Sequence, residues 1–576
     1  MARHLKAEKE KTGAWKYTLA SLVINAAILA LVMHLTAAFY ETNDDFTIAY
    51  RVADGYPYVG FVNYFLCRVL IVIQKMFSGV NVFMLSQVVV SFIAFTAVLE
   101  TVMERSKRLT DSLLAVAAVF FFSFDHYSSI QFTKTSALLM AAGLVVVADT
   151  YINSRSVIRF FAGFLLYFTG VAYRQMGMFP ALAYICMFML LFWLISGREF
   201  FKGRKPAAEI GLFLLIAALL VAPYGIDQLS DRINAGTPER ALAREYQALR
   251  TTITDYPVYE SYDSLQAEYE SAGISKNDVY MIDRFILDYD GGASIENLRT
   301  INEIYNKGAG HTMTVEMAVK KFVREVWKSF KSLNFTGMHI ILLATLGIYL
   351  IFVLKPRNWT FIVVIALLTV ALYIAIYYLQ RTKYRAFYVA DVSAAFWILY
   401  AVASQDRREA KHRILEVIAC LLVITAVVSM TPIAARILNA KAAHNTTQVE
   451  APEHTEYFAE HPDMFYVMPT AVQKQPATYL DPFAVPVMPE NVTNTGGWET
   501  LTPARMDFMR SHGVNNPIKD LIDNPNVLFF SKYKFDELTE YYNKWYAPEG
   551  KQIVFEKVDE VQDTGIYAVR IVDLNQ

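Results

Sequence analysis

The sequence predicts an α-helical polytopic membrane protein carrying an outer helical loop domain and a small α/β domain at its C-terminus. Three observations carry this. Of 576 residues, 55% are hydrophobic, 14% aromatic and only 19% charged, which is too apolar for an ordinary soluble multidomain chain. The apolar residues come in blocks, about eleven of which approach the roughly 20 residues needed to cross a bilayer. Lys and Arg concentrate in alternate loops between those blocks, the asymmetry that orients membrane proteins.

The spans centre on 17–39, 81–100, 111–124, 135–152, 158–173, 177–196, 207–226, 336–354, 359–379, 386–403 and 414–434, the third being short. With eleven spans, the basic tail "MARHLKAEKEKTGAWK" and the loops "RSKR" (105–108), "NSRSVIR" (153–159), "GREFFKGRK" (197–205), "KPR" (355–357) and "QDRREAKHR" (405–413) all fall on one side. That predicts a cytoplasmic N-terminus and an extracellular C-terminus. The stretch "FVNYFLCRVLIVIQKMF" (61–77) is apolar but interrupted by Arg68, Gln74 and Lys75. Arg68 and Lys75 share one helical face, so it reads as an amphipathic helix in the outer interface. Counting it as a span would turn "RSKR" and "GREFFKGRK" outward. The first apolar run is too long for a signal-peptide core and is read as a retained span.

The domain organisation follows. A tail (1–16) precedes spans 1–7 (17–226), with an acidic first outer loop at 41–80. A second outer loop (227–334) reads as short helices. In "TPERALAREYQALR", Thr237 is placed as an N-cap with Pro238 in the first turn. Spans 8–11 occupy 335–435, a polar linker 436–460, and an α/β domain 461–576. There, β-rich runs such as "NVLFF" and "GIYAVRIV" alternate with helical ones such as "DELTEYYNKWY".

Composition also excludes classes. A net charge of -1 without a basic stripe argues against a nucleic-acid partner. Cys67, Cys186 and Cys420 lie in or beside apolar segments, so neither a disulfide framework nor a cysteine metal site is expected. There is no phosphate-binding loop, dinucleotide turn, HExxH or GxSxG. The inner side carries only short loops, so chemistry is expected at the outer face, where nucleotide donors are not supplied. An activated substrate would then arrive through the bilayer, most simply on a lipid phosphate.

"FYETNDDFTIAYRVADGYP" (39–57) supplies candidate acids just where the first span ends. Asp44 or Asp45, on an irregular loop, could act as general base toward an acceptor hydroxyl; Glu41 is read as polar collar. The outward basic residues Arg174, Arg381, Lys383, Arg385 and Lys134 break the inside preference and suit a lipid phosphate, with snorkelling to headgroups as the bland alternative. Arg51, Gln175, Asp125 and His126 are candidates for lining the same cavity, while Asp391 is expected to pair with one of the arginines. His34 reads as packed or interfacial, and "EHTEYFAEH" (453–461) as a solvated stretch. Two adjacent acids without a clear third ligand leave a divalent cation undecided.

An acidic loop directly after the first span, an interfacial helix and outward basic residues resemble the C-type (GT-C fold) membrane glycosyltransferases. More closely, "TNDDFTIAYRVADG", "QFTKTSALLMAAG", "EYQALRTTITDYPVYESY" and "GISKNDVYMIDRF" are similar to a group of Gram-positive bacterial multi-pass proteins. The resemblance covers roughly the first three quarters of the chain and implies a plasma-membrane enzyme. It would move a sugar from a polyprenyl-phosphate carrier to a cell-envelope glycan or glycolipid. It also draws attention to Arg250, Asp255 and Asp278 in the second outer loop. The alternatives are a lipid-linked sugar flippase or transporter, and a glycan polymerase or ligase.

Overall fold

A computed structural model describes residues 2–106, 108–308, 313–381, 383–405, 413–470, 473–532 and 536–574, with residues 2–14 described as backbone. The chain divides into two compact units. The first comprises residues 1–231, 313–447 and 480–486; the second comprises 232–312, 448–479 and 487–576.

The first unit is a helical bundle. In chain order its helices are α1 (Ala2–Leu35), α2 (Asn43–Ala53), α3 (Tyr64–Met76), α4 (Val82–Ser106), α5 (Leu109–Tyr127), α6 (Phe132–Asp149), α7 (Val157–Tyr173), α8 (Met178–Phe200) and α9 (Pro206–Asn234). Among the described residues, ten helices are long and apolar enough to cross a membrane, which makes this a multi-pass membrane protein. The expected fifth span, α7, is apolar but has only 17 residues. Helix α3 has 13 residues, about 20 Å of helix, and is too short to cross. It leaves Phe65, Val69, Val72 and Met76 exposed while Cys67, Leu70 and Ile71 are buried.

The second unit begins at the end of α9 and contains α10 (Pro238–Asp255), α11 (Val258–Ser261), α12 (Gln266–Ser271), α13 (Lys276–Asp283) and α14 (Ile295–Lys307). Thr237 caps α10 by accepting from the Arg240 N–H, with Pro238 following it. The bundle resumes with α15 (Val315–Ser332), α16 (Phe335–Val353), α17 (Trp359–Tyr378), α18 (Tyr384–Ser404) and α19 (Arg413–Thr446). Helix α19 runs on past its apolar part, because "AARILNAKAAHN" is rich in good helix formers although it is polar.

The rest of the second unit builds a five-stranded sheet with helices around it. Its strands are numbered after two short bundle strands, β1 (Phe39–Tyr40) and β2 (Ser129–Ile130): β3 (Phe465–Met468), β4 (Val492–Asn494), β5 (Val527–Ser531), β6 (Lys551–Val561) and β7 (Thr564–Asp573). Their order is β4-β3-β5-β7-β6; β3 is parallel to both neighbours, and the β5–β7 and β7–β6 pairs are antiparallel. Met281 and Ile286 enter the same core as Phe465, Val467 and Phe529, so helical loop and sheet share one interior.

Helices α6 and α18 form the centre of the bundle, almost entirely enclosed by other helices, whereas α1, α9 and α17 are peripheral and mostly uncovered. Only enclosed helices can carry polar side chains at membrane depth without exposing them to lipid. The α6–α7 crossing is held close by small residues. A Cβ at Gly143 would lie 2.5 Å from the Gly163 carbonyl oxygen, and one at Gly170 would lie 2.8 Å from that of Ser136. The Ser136 hydroxyl donates to the carbonyls of Gly170 (2.7 Å) and Arg174 (2.9 Å), which fixes the turn leaving α7.

The bundle ends differ. At one, Arg105 pairs with Asp149 (3.1 Å), Arg108 with Glu416 (3.1 Å) and Arg155 with Glu209 (2.6 Å), while Tyr349 donates to Asp111 (2.7 Å). At the other, β1 pairs in parallel with β2, tying the segment after α1 to the α5–α6 turn. Residues 480–486 return to this end. The Pro482 carbonyl accepts from Asn81 Nδ2 (2.9 Å), and the Phe483 carbonyl from the Asn81 N–H (2.8 Å).

Overpacking a tight helix crossing typically costs about 1–3 kcal/mol. Gly143→Ala is therefore expected to lower the melting temperature in detergent. Gly211→Ala on α9, where nothing lies within 4 Å, is expected to leave it unchanged or raise it slightly.

Candidate functional site

The acids of the first loop lie in the first turn of α2 rather than on irregular chain, since carboxylates are favoured at a helix N-terminus. Successive helical residues point about 100° apart, so Asp44 and Asp45 face different surroundings. Asp45 is fully buried: one oxygen accepts from the Phe132 N–H at the start of α6 (3.0 Å), the other from the Thr42 hydroxyl (2.7 Å). Burial pushes its pKa up to about 7, against those two hydrogen bonds and with help from the charges of Asp44 and Glu41. Asp45 is thus a clamp between α2 and α6. Asp44 is a quarter exposed and faces the Arg385 guanidinium at 3.9 Å.

Arg174 follows α7 in extended conformation and lays its guanidinium over Phe61 (5.0 Å) and Phe132 (5.5 Å). Burial lowers its pKa to about 10; Asp44 and Asp227 oppose this, and Arg385 and Arg381 add to it. Asp44, Arg174, Asp227, Arg381 and Arg385 therefore share one electrostatic field, although they come from four separate parts of the chain. Asp227 is held by Asn63 Nδ2 at 3.0 Å. Gln175 Nε2 is buried and has no hydrogen-bond partner among the described residues. Lys383 is exposed at the N-cap of α18. Arg51 packs over Tyr50 and Tyr56 and lies 3.7 Å from Asp54, a local arrangement on α2.

Lys134 is not available to a phosphate. It is fully buried in the first turn of α6, where Nζ pairs with Glu41 and with Asp125 (2.9 Å) and donates to the Ser129 hydroxyl (3.2 Å). Glu41 is correspondingly an ion-pair partner rather than a solvated collar. The chain of polar groups continues inward. Asp125 accepts from the Tyr384 hydroxyl (2.9 Å) and lies 3.6 Å from His339, whose Nδ1 is 3.0 Å from Asp391. Asp391 also accepts from Tyr373 (2.7 Å); its partners are thus His339 and Tyr373, not an arginine. His126 joins Ser91 (3.2 Å) to Tyr388 (2.8 Å).

His339, Asp227, Phe61, Tyr373, Tyr384 and Tyr388 join these groups although none stands out in the sequence as a candidate. A lone histidine in an apolar span, as in "FTGMHIILL", was the available signal for His339. His34 is exposed on α1. His454 of "EHTEYFAEH" is buried against Glu450 and the Val561 carbonyl.

In the second unit, Arg250 donates to Gln247 and Thr254 of its own helix, and Asp255 is exposed at that helix's end. Asp278 completes a capping box with Ser275 and accepts from Trp545 (2.7 Å). Among the described residues, no group of three His, Cys, Asp or Glu is arranged to hold a metal ion. Comparison with protein-family models, curated proteins and solved structures finds no match.

Two outcomes follow for stability. Because Asp45 titrates near 7 in the fold against about 3.9 unfolded, its contribution is complete below pH 4 and lost as pH rises through 7. Asp45→Asn should thus be increasingly stabilising from pH 4 to pH 7 and then level off at a few kcal/mol, at about 1.4 kcal/mol per unit. Melting temperatures across that range check this. Lys134→Met removes the cation that pairs with buried Asp125 and half-buried Glu41 and is expected to cost roughly 3–5 kcal/mol. Adding Glu41→Gln and Asp125→Asn should restore most of that loss in the same assay.

Proposed function

We propose that this chain is a membrane glycosyltransferase of C-type architecture, acting on a polyprenyl-phosphate sugar at the end of the bundle that carries α2. The observation supporting this most directly is Asp44, partly open and facing Arg385, with Arg174 and Arg381 in the same field. A base beside several fixed cations matches what glycosyl transfer from a lipid phosphate needs. Asp44 takes the proton from an acceptor hydroxyl as its oxygen attacks the anomeric carbon. The bond from that carbon to the carrier phosphate breaks, and the arginines stabilise the phosphate oxygen as it takes the electron pair. Gln175 offers its unpartnered amide to a phosphate or sugar oxygen, and Lys383 attracts the headgroup from the rim. Asp45 positions α2 and takes no proton from substrate. In this reading the site faces the exterior of the plasma membrane, the N-terminus is cytoplasmic, and the acceptor is an envelope glycan or glycolipid.

A transporter for lipid-linked sugar is the second reading, favoured by the buried Lys134–Asp125–His339–Asp391 chain, since intramembrane titratable chains often couple transport to protons. A polymerase or ligase would depend on the arginines rather than on Asp44.

The test is sugar transfer by reconstituted protein from a short-chain polyprenyl-phosphate sugar to envelope extract. Asp44→Asn is expected to lower kcat by about 10²–10⁴-fold, while Asp45→Asn stays within about tenfold. Arg385→Gln should weaken both KM and kcat. Full activity of Asp44→Asn overturns the assignment of the base, and lipid-sugar translocation without transfer favours the transporter.

A further inference from the structure

We propose that α15 lies in the plane of the membrane surface and binds anionic phospholipid headgroups through its basic row. This goes beyond the reading above and does not depend on it. Helix α15, "VEMAVKKFVREVWKSFKS", presents three distinct faces. One faces the bundle: Ala318 is fully buried among Tyr373, Tyr377 and Phe387, and Phe322 meets Tyr373 edge-to-face at 5.9 Å. A second, one helical step round, carries Val315, Val319, Val323 and Trp327 at four-residue spacing, with Phe330 beside them. All five are exposed, Trp327 at 63% and Val323 at 59%. The third carries Lys320, Lys321, Arg324, Lys328 and Lys331.

In water, an apolar row of this size would be an unexplained cost beside five cations. At a bilayer surface the same arrangement is favourable: the apolar row enters the acyl boundary and the cations reach the phosphates. Two local features hold the helix there. Leu333 turns the chain sharply with φ 46°, and a Cβ at Gly337 would lie 2.3 Å from the Ser329 carbonyl oxygen, so the corner between α15 and α16 is rigid. Helix α17, against which the Ala318 and Phe322 face of α15 packs, is itself mostly uncovered and apolar, as a helix bordering lipid should be.

The charge pattern identifies the occupant. Lys320 pairs with Glu316 (2.6 Å) and Lys328 with Glu325 (3.7 Å), both exposed. Lys321, Arg324 and Lys331 have no acidic partner among the described residues, and Lys331 lies 5.4 Å from the Trp327 ring. A net cationic row bordering a lipid-facing row complements anionic headgroups; a protein partner would be expected to meet a mixed rim.

Spin labelling of the full chain in proteoliposomes tests this. With Cys67, Cys186 and Cys420 replaced by serine, nitroxides are placed singly at Val323→Cys and Arg324→Cys in vesicles with or without phosphatidylglycerol. The label at 323 is expected to collide more with oxygen than with a water-soluble nickel complex, and the label at 324 to do the reverse. Removing phosphatidylglycerol, or combining Lys321→Glu, Arg324→Glu and Lys328→Glu, should raise nickel access at 323 several-fold. Full nickel access at 323 in both vesicle types overturns membrane contact, as does shielding from both reagents, which would indicate a protein partner. Nickel access at 323 that ignores both lipid charge and the charge reversal overturns headgroup binding.

Discussion

The membrane bundle depends on neutralising one buried cation. Lys134 sits in the first turn of α6, the most enclosed helix of the fold, where an unpaired ammonium could not be tolerated. Its partners are supplied from both sides: Glu41 from the segment after α1, and Asp125 from the last turn of α5. The pairing therefore requires that segment, the α5–α6 turn and the top of α6 to meet. The two-residue β1–β2 ladder and the Asp45 clamp on Phe132 reinforce the same junction. Further inward, His339 links Asp125 to Asp391 and so draws α16 and α18 to it.

This junction sets the geometry of the candidate site. With Asp45 turned inward to cap α6, its neighbour Asp44 must point elsewhere, toward Arg385 in the first turn of α18. Phe132, whose N–H binds Asp45, also offers its ring to Arg174. One residue thus couples the clamp to the cation on the far side, and the α6–α7 crossing at Gly143 and Gly170 sets where Arg174 emerges. At the other end of the bundle Arg105, Arg108 and Arg155 each meet an acid, which occupies their charge in holding helices together.

Ten of the eleven expected spans were legible because each is a long apolar block, the fifth proving to be a shorter apolar helix, and the cap of α10 because Thr-Pro is a local signal. Other features are not local. Asp44 and Asp45 are adjacent and chemically identical, and only the position of the α6 N-terminus makes one a clamp and turns the other toward Arg385. Lys134 looked like a phosphate ligand because its two counterions lie elsewhere in the chain, one of them in what reads as collar. Asp391 was expected to seek an arginine, but its partners in space are a histidine from another apolar run and a tyrosine. Likewise, α19 continues beyond its apolar stretch because alanine-rich sequence favours helix regardless of hydropathy.

The central claim is that a lipid phosphate is held among Asp44, Arg174, Arg381 and Arg385. Photocrosslinking in proteoliposomes with a diazirine-bearing polyprenyl-phosphate sugar, followed by peptide mapping, tests it most directly. The account predicts adducts on residues around Phe61, Arg174 and Arg385, suppressed by excess unlabelled lipid phosphate. Adducts confined to the opposite end of the bundle, near Arg105 and Arg159, would contradict it.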